Sequence, residues 1–385
     1  MYQSLMNFIK CHPLDWKESI QLKPFCIKVR ELGDFVLLKY DQLNSDMSHP
    51  ICQVCRGIIL ERISGFGWNI VCYPFDKFFN YGEPYAAEID WKTAKVREKI
   101  DGSLIKFWCD TYGLWHMSTN GSIDAFKAEI SDNPYGLTFG NIVERALGCN
   151  WLSFCRELNP EYTYMFEVIS PDTRVTVPYE YDGLYYLGQR HRGTMIEEYN
   201  YDPVWRNFGI YEPKVYHLSS LDDCISLVDE FTKDEEGVVV SDDNFNRIKV
   251  KSPEYLIAAH CANNGKLGLR TAIRLIRENK VDDFLAYAPM HRVKMELIVS
   301  AYEDMIAELI TSFAEVKHLC WMSKKDFVEM LNLRDLTKLG YNYSLWKYEH
   351  RELRFKDYLN RMTEKSIMRY IKDKVKEIKE ELDDE

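Results

Sequence analysis

The spacing of apolar residues in this chain changes at Ser252 and Pro253, and the change limits the folds open to it. Before it, runs such as Tyr162–Ile169 alternate in the manner of strands buried on one face. After it, apolar residues recur three and four positions apart, as in Leu269–Glu278, which predicts helices. We therefore predict an α+β fold, with an N-terminal domain of mixed antiparallel sheets (residues 1–254) followed by an all-α C-terminal domain (residues 255–385).

The same patterns place individual elements along the chain. Strands are predicted at residues 35–40, 57–61, 104–108, 114–118, 162–169, 184–188, 235–240 and 247–251. Helices are predicted at residues 141–157, 221–231, 269–278, 291–320, 323–333 and 344 to about 381, with Ser323 as an N-cap. No Walker-type phosphate loop and no Gly-x-Gly-x-x-Gly occurs, so any nucleotide site must be built from other residues.

The composition indicates a folded chain without a membrane span or a disulfide framework. Hydrophobic residues make up 46% and charged residues 28% of the 385 residues, as in globular proteins. No apolar stretch approaches the roughly 20 residues of a membrane span, so we expect no membrane partner. The 11 cysteines lack framework spacing, and Cys52 and Cys55 have no second pair to complete a zinc site. We expect free thiols in a reducing cytoplasm (the host cytoplasm if the protein is viral) and a monomer.

Charge is distributed unevenly along the chain. The net charge is −11, and 26 basic residues stand against 38 acidic ones before Leu256. From Leu256 onward the balance is 23 to 22, and residues 351–379 hold ten basic and five acidic residues. A polyanion would therefore be held by local clusters of positive charge and not by the overall field of the protein.

One lysine stands in a motif with chemical meaning. Lys99 is followed by Asp101, Gly102 and Ser103, and a strand pattern continues from there. A lysine becomes a nucleophile once it has lost its proton, and glycine lets the backbone approach a ligand closely. Lys-x-Asp-Gly is the motif with which covalent nucleotidyltransferases capture a nucleoside monophosphate. Taken alone, four residues match by chance often, and a surface turn with an ordinary lysine is the alternative.

Several distant residues strengthen the first interpretation. Glu167 follows Phe166 in a predicted strand, and Glu236 precedes Gly237 in another. Lys249 and Lys251 are two positions apart in the last predicted strand, so their side chains lie on the same face. Two ammonium groups on one face repel each other unless an anion lies between them. A solvated sheet face would explain the lysine pair alone, but not the pair together with the motif and both glutamates in this order.

The order and spacing of these residues resemble the bacteriophage RNA ligase 1 family of the covalent nucleotidyltransferase superfamily. Cys55-Arg56-Gly57-Ile58 is similar to its Arg-Gly element, and Lys77-Phe78-Phe79-Asn80 to its Lys-Phe-Phe-Asn element. The resemblance implies that Lys99 is the adenylylated nucleophile. It also implies nucleotide contacts by Tyr40, Arg56, Lys77, Phe79, Asp101, Gly102, Ser103, Glu167, Glu236, Lys249 and Lys251.

The resemblance further implies an ATP-dependent RNA ligase with ATP as cosubstrate and Mg²⁺ or Mn²⁺ as metal. It would join 5′-phosphate and 3′-hydroxyl RNA ends through a lysyl-AMP and an RNA-adenylate. Its RNA substrate would be a tRNA with a broken anticodon loop. The resemblance implies that Glu236, Asp282 and Asp283 contact the metal. A solvated helix end would also explain the two aspartates. The resemblance also implies RNA contacts by Arg174, Arg361, Lys365 and Arg369. An ordinary amphipathic helix would also explain the last three residues.

One position departs from the family pattern, and three other classes of protein share part of it. Asn120 stands where the family has a basic residue before Gly-Ser, so one phosphate or donor-end contact lacks its charge. An ATP-dependent DNA ligase or a capping-type nucleotidyltransferase would continue into an OB barrel of about five strands, whereas helical spacing follows here. A non-catalytic RNA-binding relative would usually lack the nucleophile or a motif carboxylate, but Lys99, Glu167 and Glu236 are present.

Overall fold

A computed structural model describes residues 2–63, 67–130, 136–173, 177–232, 234–252, 267–278, 281–287, 291–353 and 355–383. Its contacts group the chain into two units, Met1–Gly265 and Lys266–Glu385. Every strand among the described residues lies in the first unit, and the regular elements described in the second unit are helices. The predicted fold class, α+β with antiparallel sheets followed by helices, is therefore confirmed.

The first unit contains the strands of the described chain. In chain order they are β1 Ile27–Leu32, β2 Phe35–Tyr40, β3 Arg56–Ile63, β4 Gly67–Cys72, β5 Phe79–Asn80, β6 Lys95–Glu98, β7 Ser103–Cys109, β8 Trp115–Thr119, β9 Tyr162–Ile169, β10 Gly183–His191, β11 Glu197–Glu198, β12 Ile210–Tyr211, β13 Val215–Tyr216, β14 Gly237–Ser241 and β15 Arg247–Lys251. Most of the longer strands carry the β-branched and aromatic residues that suit a pleated, half-buried surface.

These strands form three sheets. The first has the order β1-β2-β3-β4, and the second has the order β11-β10-β9-β7-β8 with β12 parallel to β10. The third has the order β13-β6-β14-β15-β5, in which β15 and β5 are parallel. Because β6 belongs to the third sheet and β7 to the second, residues 99–102 cross from one sheet to the other. The lysine motif therefore lies at a junction between sheets.

The helices are short in the first unit and longer in the second. The first unit has α1 Tyr2–Cys11, α2 Trp16–Ser19, α3 Pro50–Val54, α4 Phe139–Leu147, α5 Trp151–Cys155 and α6 Leu221–Asp229. The second has α7 Leu269–Glu278, α8 Val281–Tyr287, α9 Arg292–Val316, α10 Lys324–Asn332, α11 Lys338–Glu349, α12 Phe355–Arg361 and α13 Glu364–Asp383. Short 3-10 helices occupy Ala125–Lys127, Pro171–Thr173, Pro203–Phe208 and Lys317–Leu319. None of the described helices has the length and hydrophobicity that a membrane span requires.

Two of the predicted helices are wrong in extent. The helix predicted at residues 141–157 is divided into α4 and α5, because Gly148 takes a left-handed conformation with φ of +64° and ends α4. The side chain of Asn150 then accepts a hydrogen bond from the Leu152 N–H and begins α5. The single helix predicted from 344 to about 381 is three helices, α11 to α13. Thr363 begins α13 by accepting a hydrogen bond from the Ser366 N–H at 3.3 Å.

The core of the third sheet shows which side chains of β15 are turned away from α6. Val238 and Val240 of β14 and Ile248 and Val250 of β15 are buried together with Val228 of α6. Side chains alternate along a strand, so the lysines of β15 lie on the opposite face from this core. The fold thus directs the lysine pair away from α6.

The second unit has a core of its own, in which α9 contacts both α11 and α13. Ile367 and Ile371 of α13 are fully buried. Lys365 and Arg369 of the same helix are exposed, so the basic residues of α13 occupy its outer side. This is the amphipathic arrangement expected of a helix at a protein surface.

Candidate active site

Lys99 follows the end of β6 and is fixed by the neighbouring strand. Its backbone N–H donates to the Gly237 carbonyl at 2.9 Å, which extends the pairing of β6 with β14 by one residue. Its Nζ lies 2.7 Å from Oε2 of Glu236, and 19% of the side chain is exposed. The predicted nucleophile is therefore accessible from solvent and already held by a carboxylate.

Glu236 is shared between two lysines. Its side chain is only 2% exposed, and its Oε1 lies 3.1 Å from Nζ of Lys251 while its Oε2 contacts Lys99. Gly237 makes this approach possible, because a Cβ there would lie 2.2 Å from the Val250 carbonyl oxygen. A carboxylate and two ammonium groups leave one net positive charge in a largely buried place, which favours an anion.

Lys249 and Arg56 meet around one aromatic ring. Lys249 lies on the same face of β15 as Lys251, and its Nζ is 5.4 Å from the centroid of Phe78. The Arg56 guanidinium is 5.2 Å from the same centroid. A ring between two cations stabilises both through its negative faces, so Phe78 brings positive charge from β3 and β15 to one place.

A second group gathers around Lys77. Its Nζ lies 3.3 Å from the Tyr40 hydroxyl, 5.3 Å from the centroid of that ring and 5.6 Å from the centroid of Phe79. The backbone N–H of Lys77 donates to the Gln53 carbonyl at 2.8 Å. The predicted phosphate contact and its two predicted aromatic neighbours are thus adjacent in space.

Asp101, Gly102 and Ser103 attach the motif to the second sheet. Asp101 accepts a hydrogen bond from the Val177 N–H at 3.0 Å. A Cβ at Gly102 would lie 2.4 Å from the Val168 carbonyl oxygen, so this position requires glycine. Ser103 begins β7 and pairs with Val168 of β9, next to the pair formed by Leu104 and Glu167. These contacts fix the backbone that follows Lys99.

Asn120, the departure from the family pattern, lies beside a buried lysine. The Lys106 side chain is fully buried and donates to the Gly57 carbonyl at 2.5 Å. Burial lowers the pKa of Lys106 to about 8, and the nearby positive charge of Arg56 acts in the same direction. Oδ1 of Asn120 and Nη1 of Arg56 are buried polar atoms without a hydrogen-bond partner among the described residues. Positive charge is therefore present near position 120, on β7.

The remaining predicted residues lie elsewhere. Arg174 lies outside the described residues. Asp282 and Asp283 belong to α8 of the second unit, where Asp282 is half-buried. Arg361 ends α12, whereas Lys365 and Arg369 lie one turn apart on α13, and all three are exposed.

Two residues near the lysines were not assigned from the sequence. Phe78 belongs to the Lys-Phe-Phe-Asn element, and its position beside a predicted phosphate contact was the available signal. Tyr179 accepts a hydrogen bond from the Asp101 N–H at 3.3 Å, and burial raises its pKa. No periodicity connects Tyr179 with Asp101, because these two residues are 78 positions apart in the chain.

The carboxylates of the site suit a hard divalent cation. Glu236 offers two carboxylate oxygens, and Mg²⁺ commonly binds through one or two carboxylates plus substrate phosphates. Among the described residues no group of three His, Cys, Asp or Glu side chains could hold a metal by itself. An ion at Glu236 would therefore take its remaining ligands from phosphate oxygens and water.

Lys99 thus lies where the chain crosses from the third sheet to the second, beside a buried glutamate that also contacts Lys251 of β15. A family model described as RNA ligase matches residues 54–255, more than half of the chain. The RNA ligase of Rhodothermus phage RM378 is 28% identical over 360 residues, which covers 77% of this chain and 79% of the phage protein. The chain belongs to the phage-type RNA ligase 1 family.

A viral relative and a solved structure extend the comparison. The putative bifunctional polynucleotide kinase/RNA ligase of Autographa californica nuclear polyhedrosis virus is 31% identical over 301 residues, or 73% of this chain. This chain covers 41% of the length of that viral protein. An archaeal ATP-dependent RNA ligase (form 2) has a TM-score of 0.42 and 14% identity, covering 75% of this chain and 78% of the archaeal one. The family assignment rests on the sequence matches.

Proposed function

We propose that the protein is an ATP-dependent RNA ligase that joins a 5′-phosphate end to a 3′-hydroxyl end. The observation that carries the proposal is the 2.7 Å contact between Nζ of Lys99 and the carboxylate of Glu236. The same carboxylate also contacts Lys251. An accessible lysine beside a buried acidic group and further cations has what covalent capture of a nucleotide requires. The family and its named members support the same activity.

In the first step, Nζ of Lys99 attacks the α-phosphorus of ATP. A nitrogen–phosphorus bond forms, the bond to the pyrophosphate oxygen breaks, and a lysyl-AMP remains. The attacking nitrogen must first give up a proton, and Oε2 of Glu236 is the atom in contact with it. Positive charge from Lys249 and Lys251, with Arg56 and Lys77 further along, stabilises the negative charge that builds on the phosphate oxygens.

In the second and third steps, AMP moves to the RNA and is then expelled. The 5′-phosphate oxygen attacks the lysyl-AMP phosphorus, and an RNA-adenylate forms as the lysine leaves. A 3′-hydroxyl then attacks the RNA 5′-phosphorus, and AMP departs as the new phosphodiester forms. Glu236 would hold Mg²⁺ or Mn²⁺ beside the nucleotide, where the ion would supply further positive charge for the phosphate oxygens. We propose Asp282 and Asp283 separately, as metal ligands of the second unit.

The test of this proposal is a ligation panel with purified protein, ATP and Mg²⁺ or Mn²⁺. The substrates are broken tRNA anticodon loops, linear single strands and nicked duplexes, each with a 5′-phosphate and a 3′-hydroxyl. We expect ATP-dependent joining of RNA, and none when the 5′ end carries a hydroxyl. Absence of joining with every RNA substrate would contradict the proposal.

We further propose that the second unit selects a folded RNA such as a cleaved tRNA, and that the protein acts as a monomer in the cytoplasm. The exposed Arg361, Lys365 and Arg369 belong to the most basic segment of the chain, whereas the first unit is acidic overall. RNA phosphates need local positive charge, because the overall field of the protein repels them. Light scattering of the purified protein tests the monomer directly.

Reversing the charge of Arg361, Lys365 and Arg369 to Glu is expected to reduce joining of a broken anticodon loop by roughly tenfold or more, because phosphate contacts are lost. The dependence of joining on salt should become less steep, while formation of enzyme–AMP stays near the wild-type rate. The measurement is joining rate against salt concentration, for the tRNA and for a short unstructured strand.

The matched control reverses three exposed basic residues of the same unit that lie outside the basic segment. They are Lys317, Lys325 and Arg334. This variant has the same net charge as the first, so it should leave tRNA joining near the wild-type rate. Equal loss in both variants, or equal loss for tRNA and for the unstructured strand, would show that the second unit is not a selector.

Replacing both Asp282 and Asp283 with alanine is expected to raise the metal concentration needed for half-maximal ligation several-fold, because a divalent cation loses oxygen ligands. Formation of enzyme–AMP should need no more metal than before. Titration of each step with Mg²⁺ measures this, and Glu303→Ala with Asp304→Ala, an exposed acidic pair on α9, is the control. If both pairs behave alike, the aspartates of α8 have no metal role.

A further inference from the structure

We infer that a buried ion cluster in the first unit positions the lysines of the nucleotide site, an inference that rests on the proposed function. The cluster has two acidic and two basic members, which are Asp76, Arg190, Glu197 and Arg247. None of the four has a part in the chemistry proposed above. Two of them, however, are chain neighbours of residues that do: Asp76 directly precedes Lys77, and Arg247 begins β15.

Glu197 joins two sheets. It lies on β11, opposite Arg190 of β10, and its Oε2 is 3.2 Å from Nη2 of that arginine. Its Oε1 accepts a hydrogen bond from Nη2 of Arg247, and Nη1 of the same guanidinium lies 3.5 Å from Oε2. One carboxylate therefore ties the second sheet to the first residue of β15 in the third sheet.

Asp76 ties a third segment to the same place. Its Oδ2 lies 3.6 Å from Nη1 of Arg190, and its Oδ1 accepts a hydrogen bond from the Tyr73 hydroxyl at 2.7 Å. The guanidinium of Arg190 is also stacked over the Tyr73 ring, 3.8 Å from its centroid. The chain between β4 and β5, which carries Lys77, is thereby anchored to β10.

The four side chains are mostly withdrawn from water, which makes their pairing obligatory. The exposed fractions are 8% for Arg190, 5% for Glu197, 11% for Arg247 and 24% for Asp76. Burial raises the pKa of Asp76, although Arg190 acts in the opposite direction. Removing one partner leaves a buried charge without its counterpart, and the segments that carry the partners must then shift.

The shift would reach the nucleotide site through short connections. Arg247 lies two residues before Lys249 and four before Lys251 on a strand of five residues, so all three share one face. Lys77 is one peptide bond away from Asp76. The cluster thus fixes the lysine strand and the Lys77 segment against the same arginine, Arg190, directly or through Glu197. Its members are positioning residues, because none of them contacts the reacting atoms in the proposed mechanism.

The experiment compares Glu197→Gln with Glu61→Gln in single-turnover formation of enzyme–AMP at saturating ATP. Glu61 is an equally buried carboxylate of the first unit, but it accepts hydrogen bonds from the Thr111 hydroxyl at 2.8 Å and the Thr111 N–H at 3.0 Å. Thr111 lies in the turn between β7 and β8 and carries no proposed nucleotide contact. Rates are expressed per folded molecule, with the folded fraction measured by circular dichroism well below each Tm.

We expect Glu197→Gln to slow adenylylation per folded molecule by roughly tenfold or more, the size of effect that small misplacements of reacting groups produce. Glu61→Gln should lower Tm but keep the wild-type rate per folded molecule. The conservative Arg247→Lys, which keeps the charge but loses the paired contact with Glu197, should also slow the reaction and serves if Glu197→Gln does not fold. Wild-type rates per folded molecule in the Glu197 and Arg247 variants would overturn the inference. Absence of enzyme–AMP in the wild-type protein would instead refute the proposed function, and the inference would fall with it.

Discussion

Replacing Lys99 with alanine is expected to abolish the covalent enzyme–AMP that forms when the protein is incubated with α-labelled ATP and a divalent metal. Alanine has no nucleophilic group, and the hydrogen bond of the residue 99 N–H to the Gly237 carbonyl keeps the backbone of that position in place. The label is measured on the denatured protein after electrophoresis, which retains only covalently attached AMP. The Glu236–Lys251 ion pair remains in this variant, so the fold should be kept.

Lys95→Ala is the control for this prediction. Lys95 lies four residues earlier at the start of β6, its side chain is 61% exposed, and its nearest carboxylate, Asp243, is at 4.0 Å. We expect no AMP on Lys95 in the wild-type protein. The Lys95→Ala variant should therefore be labelled on Lys99 to the same extent as the wild type. A covalent label that survives in Lys99→Ala would refute the assignment of the nucleophile.

Replacing Lys251 with methionine is expected to slow adenylylation by roughly a hundredfold, the effect typical of losing one preorganised group that stabilises charge in the transition state. Lys251 contacts Glu236 at 3.1 Å, so its loss also removes one of the two ammonium groups that this carboxylate contacts. Lys249→Met should slow the same step, because its ammonium lies on the same strand face beside Phe78. The measurement is the single-turnover rate at saturating ATP.

Lys95→Met provides the comparison for both variants, since it removes an exposed cation from β6, which is separated from β15 by β14. It should retain the wild-type rate. If Lys249→Met and Lys251→Met are folded and fully active, the lysine pair does nothing more than cover one face of β15, and the proposed contacts with phosphate are wrong.

The strands were the part of the fold that the sequence predicted best. The strand-like runs at Phe35–Tyr40, Tyr162–Ile169 and Arg247–Lys251 predicted strands with the bounds that the structure has. Helix length was predicted less well, because the apolar spacing continues through positions where the backbone turns. Gly148 ends a helix by its left-handed conformation, and apolar residues on both sides of it hide the break.

The residues of the candidate site were named by motif, but their contacts were not. The ion pair of Lys99 with Glu236 joins residues 137 positions apart, and no local pattern contains that information. The same holds for Phe78, whose place between Arg56 and Lys249 depends on how β3, β5 and β15 are arranged. The roles of these residues toward nucleotide and RNA remain predictions.

The carboxylate of Glu236 has a consequence for how a charged ligand enters. In the free protein it occupies the place between Lys99 and Lys251 that a phosphate group would find attractive. The charges of these two lysines are therefore partly balanced within the protein before any ligand binds. An internal counterion of this kind weakens the attraction of the lysines for a singly charged anion, so it favours a ligand with several negative charges.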